Sequence, residues 1–416
     1  MIHMLRDGRV FRLLTFAVVV SSASGASPVR MAEVTVAALT TDYAVDPVGI
    51  GSPAPRLGWQ LRATGRGVIQ SAYQVQVARS ADALRRGSEL VWDSGRITSG
   101  QSAHVAYAGP ALAPGARYFW RVRVWDGDEQ ATPWSAPAFW EMGLLHATDW
   151  SASWVEPGLD EDTTSVNPAP MLRGRFTVRG SVASARLYVT SHGLNQPVLN
   201  GSVVGDRLFT PGWTSYHKRL QYETYDVTAL LRPGENVLGA ILGDGWYRGR
   251  IGFTYQRNIY GSHLALLAQL VIRYADGSAD TVGTDATWRA ATGPILASTI
   301  YDGETYDARL ERHGWNAPGY DDSGWTPVKV VEASKQILVA PEGPPVRRIQ
   351  ELKPVGVFVT PQGDTVVDMG QNMVGWVRLA VEGPRGTTVT LRHAEVLDGD
   401  GNFYTANLRS AKAAVR

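Results

Sequence analysis

Two stretches of strict alternation constrain the fold most. Tyr73-Gln-Val-Gln-Val-Ala-Arg79 and Tyr118-Phe-Trp-Arg-Val-Arg-Val-Trp125 recur with period two. On an extended backbone this sends one set of side chains to a core face and the other toward solvent. A helix needs an apolar repeat of about 3.6 residues, which neither stretch has. Helix signals are scarce along the whole chain. The best is one turn at Val227 to Leu231, ended by Pro233-Gly234. Turn formers are abundant, with 44 Gly and 23 Pro among 416 residues. Short strands separated by many turns predict an all-β chain of sandwich or barrel domains.

At about 150 residues per domain, the length suggests two to four domains. Residues 33–145 carry the two alternating stretches, with the Pro114-Gly115 turn before the second. Leu57-Gly-Trp-Gln-Leu61 offers a buried Trp on an early strand, and Trp134 to Phe139 leads into a last one. This predicts an immunoglobulin-like or fibronectin-III-like sandwich. Residues 150–341 read as a second all-β unit of jelly-roll type. Its strands are expected at Arg173–Val178, Arg186–Thr190, Gln221–Asp226, Asn236–Leu242 and Leu264–Tyr274, with a hairpin turn at Asn200-Gly201. Residues 346–416 begin a third β pattern, with strands expected at Val366–Met369, Trp376–Val381 and Thr388–His393. That stretch is short for a complete sandwich.

Composition removes several functions. Lys+Arg 40 against Asp+Glu 39 leaves a net charge of +1, which gives no electrostatic case for nucleic acid. The chain has no cysteine, so disulfides, thiol nucleophiles and Cys-ligated zinc are excluded. Arg6, Arg9 and Arg12 precede an apolar run from Leu13 to Val20, and small residues follow to Ala26. This pattern predicts a secretory signal peptide over residues 1–26, hence a secreted or periplasmic protein with no membrane attachment after cleavage. A start at Met31 is the alternative and implies a cytoplasmic protein.

Gly243-Asp-Gly-Trp-Tyr-Arg-Gly-Arg-Ile-Gly-Phe253 is the most unusual segment. It mixes a carboxylate, three aromatics and two arginines on an expected flexible loop. No βαβ unit accompanies its glycines, so a dinucleotide fold is excluded. Aromatic faces stack on sugar C–H surfaces, and Asp and Arg bind hydroxyls. The structural alternative has Trp246 plugging the sandwich and Arg248 pairing Asp244. Gly303-Glu-Thr-Tyr-Asp-Ala-Arg309 is a second cluster. Glu304 and Asp307 are either an acid/base carboxylate pair or anchors for Arg309 or an adjoining domain. Arg392-His-Ala-Glu395 lacks the cysteines of a zinc deaminase. The zincin and α/β-hydrolase signals are absent. Asp398-Gly-Asp-Gly-Asn402 lacks the closing Glu of an EF-hand and reads as a turn.

Several of these segments together resemble the front portion of bacterial α-L-rhamnosidases. Leu199-Asn-Gly-Ser-Val-Val-Gly-Asp206, Pro211-Gly-Trp213, Tyr225-Asp-Val-Thr228, Gly243 to Gly249 and Glu304 to Arg309 are similar to that family's N-terminal domain. Asp368 to Trp376 and Arg392 to Leu397 resemble the concanavalin-like domain that follows it, and Asn407 to Lys412 the segment beyond. The resemblance implies tandem β-sandwiches: fibronectin-III-like, then jelly-roll-like, then the start of a concanavalin-like domain. It implies hydrolysis of terminal α-L-rhamnosyl residues from glycosides or polysaccharides by inversion, with two carboxylates in an (α/α)₆ barrel. No helical array of that kind is present here, so no catalytic residue is carried over and the chain alone is expected to be inactive. A non-catalytic carbohydrate-binding or scaffold protein is the alternative. So is another glycosidase, with its site between the sandwiches. Some related modules bind rhamnose through calcium, but the matching stretch Ser191-His-Gly-Leu-Asn-Gln196 has no carboxylate. No metal ligand or organic cofactor is assigned, and a homodimer is possible. Sugar contact is expected from Asp244, Trp246, Tyr247, Arg248, Glu304, Tyr306 and Asp307, or else these residues line a seam with the barrel.

Overall fold

The computed structural model describes residues 34–252 and 254–416. The expected signal peptide, the alternative start at Met31 and Phe253 lie outside the described residues. Strand Arg117–Asp126 is central to the larger sheet of the first sandwich. It pairs antiparallel with Gln70–Ala78 on one side and Ala138–Met142 on the other. Tyr118, Trp120, Val122 and Val124 point inward and are buried. Arg121 and Arg123 alternate with them, their guanidinium groups 4.4 and 4.7 Å from the Trp134 ring. The facing sheet, Val34–Thr41, Arg56–Ala63 and Val105–Ala106, brings Leu57 and Trp59 into the same core. One helix, Ala81–Arg86, was not expected. Ser80 caps its start by accepting from the Ala83 amide, and Gly87 ends it at φ 66°. Six residues are too few to show a helical period.

The second sandwich packs two sheets face to face. In one, Val182–His192 runs beside Ala265–Tyr274, with Leu187 opposite Leu270 and Val189 opposite Ala268. In the other, Gly234–Gly243 lies between Leu194–Leu199 and Pro170–Val178. The expected hairpin at Asn200-Gly201 forms, with both residues at positive φ. The Asn200 amide ties it to a neighbouring segment, donating to Leu230 O at 2.9 Å and Asn236 Oδ1 at 2.6 Å.

Strand Val182–His192 is buried on both faces. Leu187 and Val189 enter the sandwich core, while Tyr188 meets Trp150 and Tyr222 on the outside. That outer face meets the first sandwich. Arg186 donates to Glu141 at 2.5 and 3.0 Å, and Tyr222 Oη donates to the Leu144 carbonyl at 2.7 Å. A Cβ at Gly143 would sit 2.3 Å from Tyr222 Oη, so only glycine allows this approach.

The third region differs from expectation. The hairpin Gly356–Val359 with Thr365–Asp368 forms. No strand forms at 376–381, and of 388–393 only Leu391–Arg392 is extended in a ladder. The physical reason is pairing. Alternation becomes a strand only when neighbouring backbone completes the hydrogen-bond ladder, and among the described residues no strand pairs with 376–381. Val357, Val367, Val374, Trp376, Leu379 and Val381 are exposed, and among the described residues the buried apolar clusters stop at Ala340. The last strand, Ala414–Val415, returns to the second sandwich. It pairs antiparallel with Leu391–Arg392 and parallel with Gly303–Tyr306. No helix among the described residues is long and apolar enough to cross a membrane.

Candidate functional site

Strand Gly234–Gly243 runs directly into the Gly-Asp-Gly-Trp-Tyr-Arg segment. The segment is a single α-turn, Gly245–Arg248, rather than the expected open loop. Gly245 has φ 51°, and a Cβ there would lie 2.5 Å from Leu194 Cγ. The turn is held by charge. Arg248 Nε donates to Asp244 Oδ1 at 2.7 Å, and Arg248 Nη1 donates to Glu161 Oε2 at 2.7 Å. Arg257 donates to the other Asp244 oxygen at 3.0 Å. The Arg248 and Asp244 side chains are 1% and 3% exposed. Burial pulls the Arg248 pKa down, but Asp244 and Glu161 outweigh it and hold the pKa above its ordinary value. Asp244 and Arg248, expected to face a sugar, therefore face each other inside the protein. The pairing that the sequence offered as the structural alternative is what forms.

The two aromatics of the turn are buried to different extents. Tyr247 is buried and lies parallel to His192, ring centroids 4.8 Å apart. His192 in turn stacks on Trp154 at 4.4 Å. Burial pushes the His192 pKa down to about 4, helped by the neighbouring His217. The neutral ring is thus the folded form, while an unfolded chain takes up the proton near the ordinary histidine value of about 6.5. Stability therefore falls as pH drops through this window, from about 6.5 to about 4, by about 3 kcal/mol for this group. His192→Phe keeps a ring in the stack and should flatten that part of the profile. Denaturant midpoints measured across the window check this. An equal slope in the variant would contradict it.

Trp246 is half-buried and packs against the same cluster. Its ring lies parallel to Trp213, centroids 5.9 Å apart and planes 5° apart, with Phe209 tilted at 6.0 Å. Trp213 and Phe209 are 57% and 43% exposed. Trp213 Nε1 donates to Tyr260 Oη at 3.1 Å. Trp246 thus covers the buried cluster of Trp150, Trp154 and Tyr247 on one side and meets the exposed Trp213 and Phe209 on the other. In the sequence Trp213 stands only within the Pro211-Gly-Trp213 motif, and nothing local marks Phe209 or Tyr260, because these rings meet from separate turns.

The second cluster lies on the hairpin Ile295–Thr299 with Gly303–Tyr306. Asp307 continues the extended backbone and caps the next turn. Residues three apart on a strand point to opposite faces, so Glu304 and Asp307 do not converge. Asp307 is committed to Arg309, which donates at 2.8 and 2.6 Å and holds the carboxyl down at about 2. Glu304 is half-buried, and burial alone raises its pKa. Tyr306 is 40% exposed and donates to Glu311 at 2.6 Å. Arg250 ties the two clusters together, donating to Asp302 at 2.5 Å and to the Ser410 carbonyl at 2.9 Å. Val415 pairs with Glu304.

No group of three or more His, Asp or Glu able to hold a metal exists among the described residues. Ser191 and Asn195, in the stretch compared with calcium-binding modules, bond to each other at 2.8 Å. Asp398 accepts from the Asp400 and Asn402 amides and forms the expected turn.

The described residues form tandem β-sandwiches, with Trp213 and Phe209 exposed on the second. Three family models match in order: a Rha78A-like N-terminal immunoglobulin domain over residues 36–146, the alpha-L-rhamnosidase N-terminal domain over 180–350, and the bacterial alpha-L-rhamnosidase concanavalin-like domain over 359–416. The chain belongs to the bacterial α-L-rhamnosidase family, as an N-terminal portion of it. It is 38% identical over 376 residues to the alpha-L-rhamnosidase of Alteromonas sp. strain LOR, covering 88% of this chain and 40% of that protein. It is 34% identical over 558 residues to that of Streptomyces avermitilis, covering 92% and 53%. The crystal structure of the Streptomyces enzyme complexed with L-rhamnose superposes with a TM-score of 0.86 at 33% identity, covering 92% of this chain and 53% of that one. The native Aspergillus terreus enzyme gives 0.86 at 39% identity, covering 92% and 44%. The chain thus spans about half, or less, of the length of these relatives.

Proposed function

We propose that this chain is the non-catalytic front of an enzyme that hydrolyses terminal α-L-rhamnosyl residues of glycosides or polysaccharides, and that it contacts the sugar through Trp246. The observation that supports this most is the division of the expected contact residues. Asp244, Tyr247 and Arg248 are buried, whereas Trp246 is only half-buried and stacks on the exposed Trp213. Glu304, Tyr306 and Asp307 lie beside the last strand and fit better as a seam with a following domain. The sequence of residues 1–26 supports secretion or a periplasmic location. The exposed apolar side chains of 346–416 supply a surface for self-association, in keeping with a homodimer.

Calorimetric titration of the chain with methyl α-L-rhamnoside tests the sugar contact. Saturable binding is expected, weakened roughly tenfold in Trp246→Ala, because losing one aromatic stack costs on the order of 1 kcal/mol. Binding that ignores this change contradicts the reading.

A further inference from the structure

On the outer face of the first sandwich, guanidinium groups alternate with indole rings. Arg121 and Arg123 share the Trp134 ring at 4.4 and 4.7 Å. Trp125 lies 5.0 Å from Arg123 and 4.9 Å from Arg96. We infer that Arg121 and Arg123 form a binding site for the acid groups of a linear anionic glycan, one that carries carboxylates or sulfates along its length. The site lies on a different domain from Trp246 and reads charge rather than a rhamnosyl unit. It stands whether or not Trp246 contacts sugar.

The two arginines are held in place yet lack counter-charge. Arg121 lies opposite Gln76 and Arg123 opposite Gln74 in the strand register. Arg121 donates Nε and Nη2 to Gln76 Oε1 at 3.0 and 2.7 Å, and Arg123 does the same to Gln74 Oε1 at 3.0 and 2.8 Å. A guanidinium has five N–H donors, so the Nη1 edge of each is left for a ligand. Both acceptors are neutral. Neither arginine forms an ion pair among the described residues, whereas Arg117 on the same strand is paired with Glu141, and Arg96 with Glu129. The Asp93 carboxylate across the sheet is taken up by the Gln74 and Gln76 amides at 2.7 and 2.8 Å. Burial and the Arg123 charge hold the Arg121 pKa below its ordinary value, against the pull of Asp93. An anion at the Nη1 edges relieves that repulsion, and half-burial strengthens the attraction relative to water.

The spacing favours a ligand whose charge repeats. Side chains two apart on a strand share one face and sit roughly 7 Å from each other. The rings fix each guanidinium in that row. A linear glycan with an acid group on each repeat can meet both arginines. Carboxylate and sulfate alike accept paired N–H bonds from a guanidinium. Nucleic acid calls for a broader basic face, and here Asp93 and Glu129 flank the row.

The probe is a short oligogalacturonate, titrated calorimetrically into the chain. Its fully methyl-esterified form, a sulfated dextran and a single-stranded DNA oligonucleotide are titrated alongside. Saturable binding of the oligogalacturonate is expected, with none of the ester and a loss of roughly tenfold between about 10 and 150 mM salt. Sulfated dextran binding more tightly than the oligogalacturonate assigns the site to sulfates, and the reverse assigns it to carboxylates. Arg121→Gln and Arg123→Gln should each weaken binding roughly tenfold. Arg62→Gln, on the facing sheet, should leave it unchanged. Because Arg121 and Arg123 also brace the sheet, a second measurement uses the unaltered chain. Bound oligogalacturonate should shield both arginines from phenylglyoxal, read by mass spectrometry. The site is overturned by equal binding of acid and ester, by no saturable binding of either anionic glycan, or by tighter binding of the DNA. Undiminished binding in both glutamine variants, or unshielded arginines in the bound chain, overturns it as well.

Discussion

Arg248→Met should cost the second sandwich about 3–5 kcal/mol, the range for removing one partner of a buried ion pair. The guanidinium is 1% exposed and bridges Asp244 and Glu161 at 2.7 Å each. Methionine preserves much of the volume but leaves the Glu161 carboxylate, 10% exposed, without its cation. Asp244 retains Arg257 at 3.0 Å, so Glu161 bears most of the loss. Glu161→Gln in the same background removes the stranded charge and should recover part of the stability. A surface sugar contact behaves differently, because its loss weakens binding and leaves the unfolding midpoint in place. Denaturant titration therefore separates the two roles. An unchanged midpoint in Arg248→Met would contradict the structural role given to this residue.

Gly303→Ala should release the last strand. Gly303 has φ 90°, where an L side chain costs about 1–3 kcal/mol, and its Cβ would lie 1.9 Å from the Ala414 carbonyl oxygen. The methyl group occupies the place where Ala414–Val415 docks. The Tyr306 amide, now 2.7 Å from the Arg416 carbonyl, and the Arg416 amide, 3.0 Å from the Glu304 carbonyl, lose their acceptors. Hydrogen exchange should show both amides exposed, with the strand Val182–His192 still protected. Retained protection at Tyr306 and Arg416 would rule out the docking described here.

The sandwich strands were legible because burial and backbone pairing agree with the local pattern. Tyr118 to Trp125 alternates in sequence and alternates in burial. Trp376 to Val381 shows the limit of that logic, since pattern without a pairing neighbour forms no strand. The helix Ala81–Arg86 left only its caps as a signal. At the site, the Gly-Asp-Gly-Trp-Tyr-Arg segment was visible as unusual, and the four-residue spacing of Asp244 and Arg248 already suits a pair on one helical turn. The third member, Glu161, comes from a distant loop, and Trp213 and Phe209 meet Trp246 only through the fold. Which side chains turn in and which turn out is a tertiary property, and no local spacing encodes it.

The most direct test of the account is hydrolysis of an aryl α-L-rhamnoside by the purified, folded chain. Glu304 and Asp307 point to opposite faces and Asp307 is bound to Arg309, so no turnover above background is expected. Turnover that Glu304→Gln abolishes would place a catalytic carboxylate within these sandwiches and contradict the assignment of this chain as a non-catalytic portion.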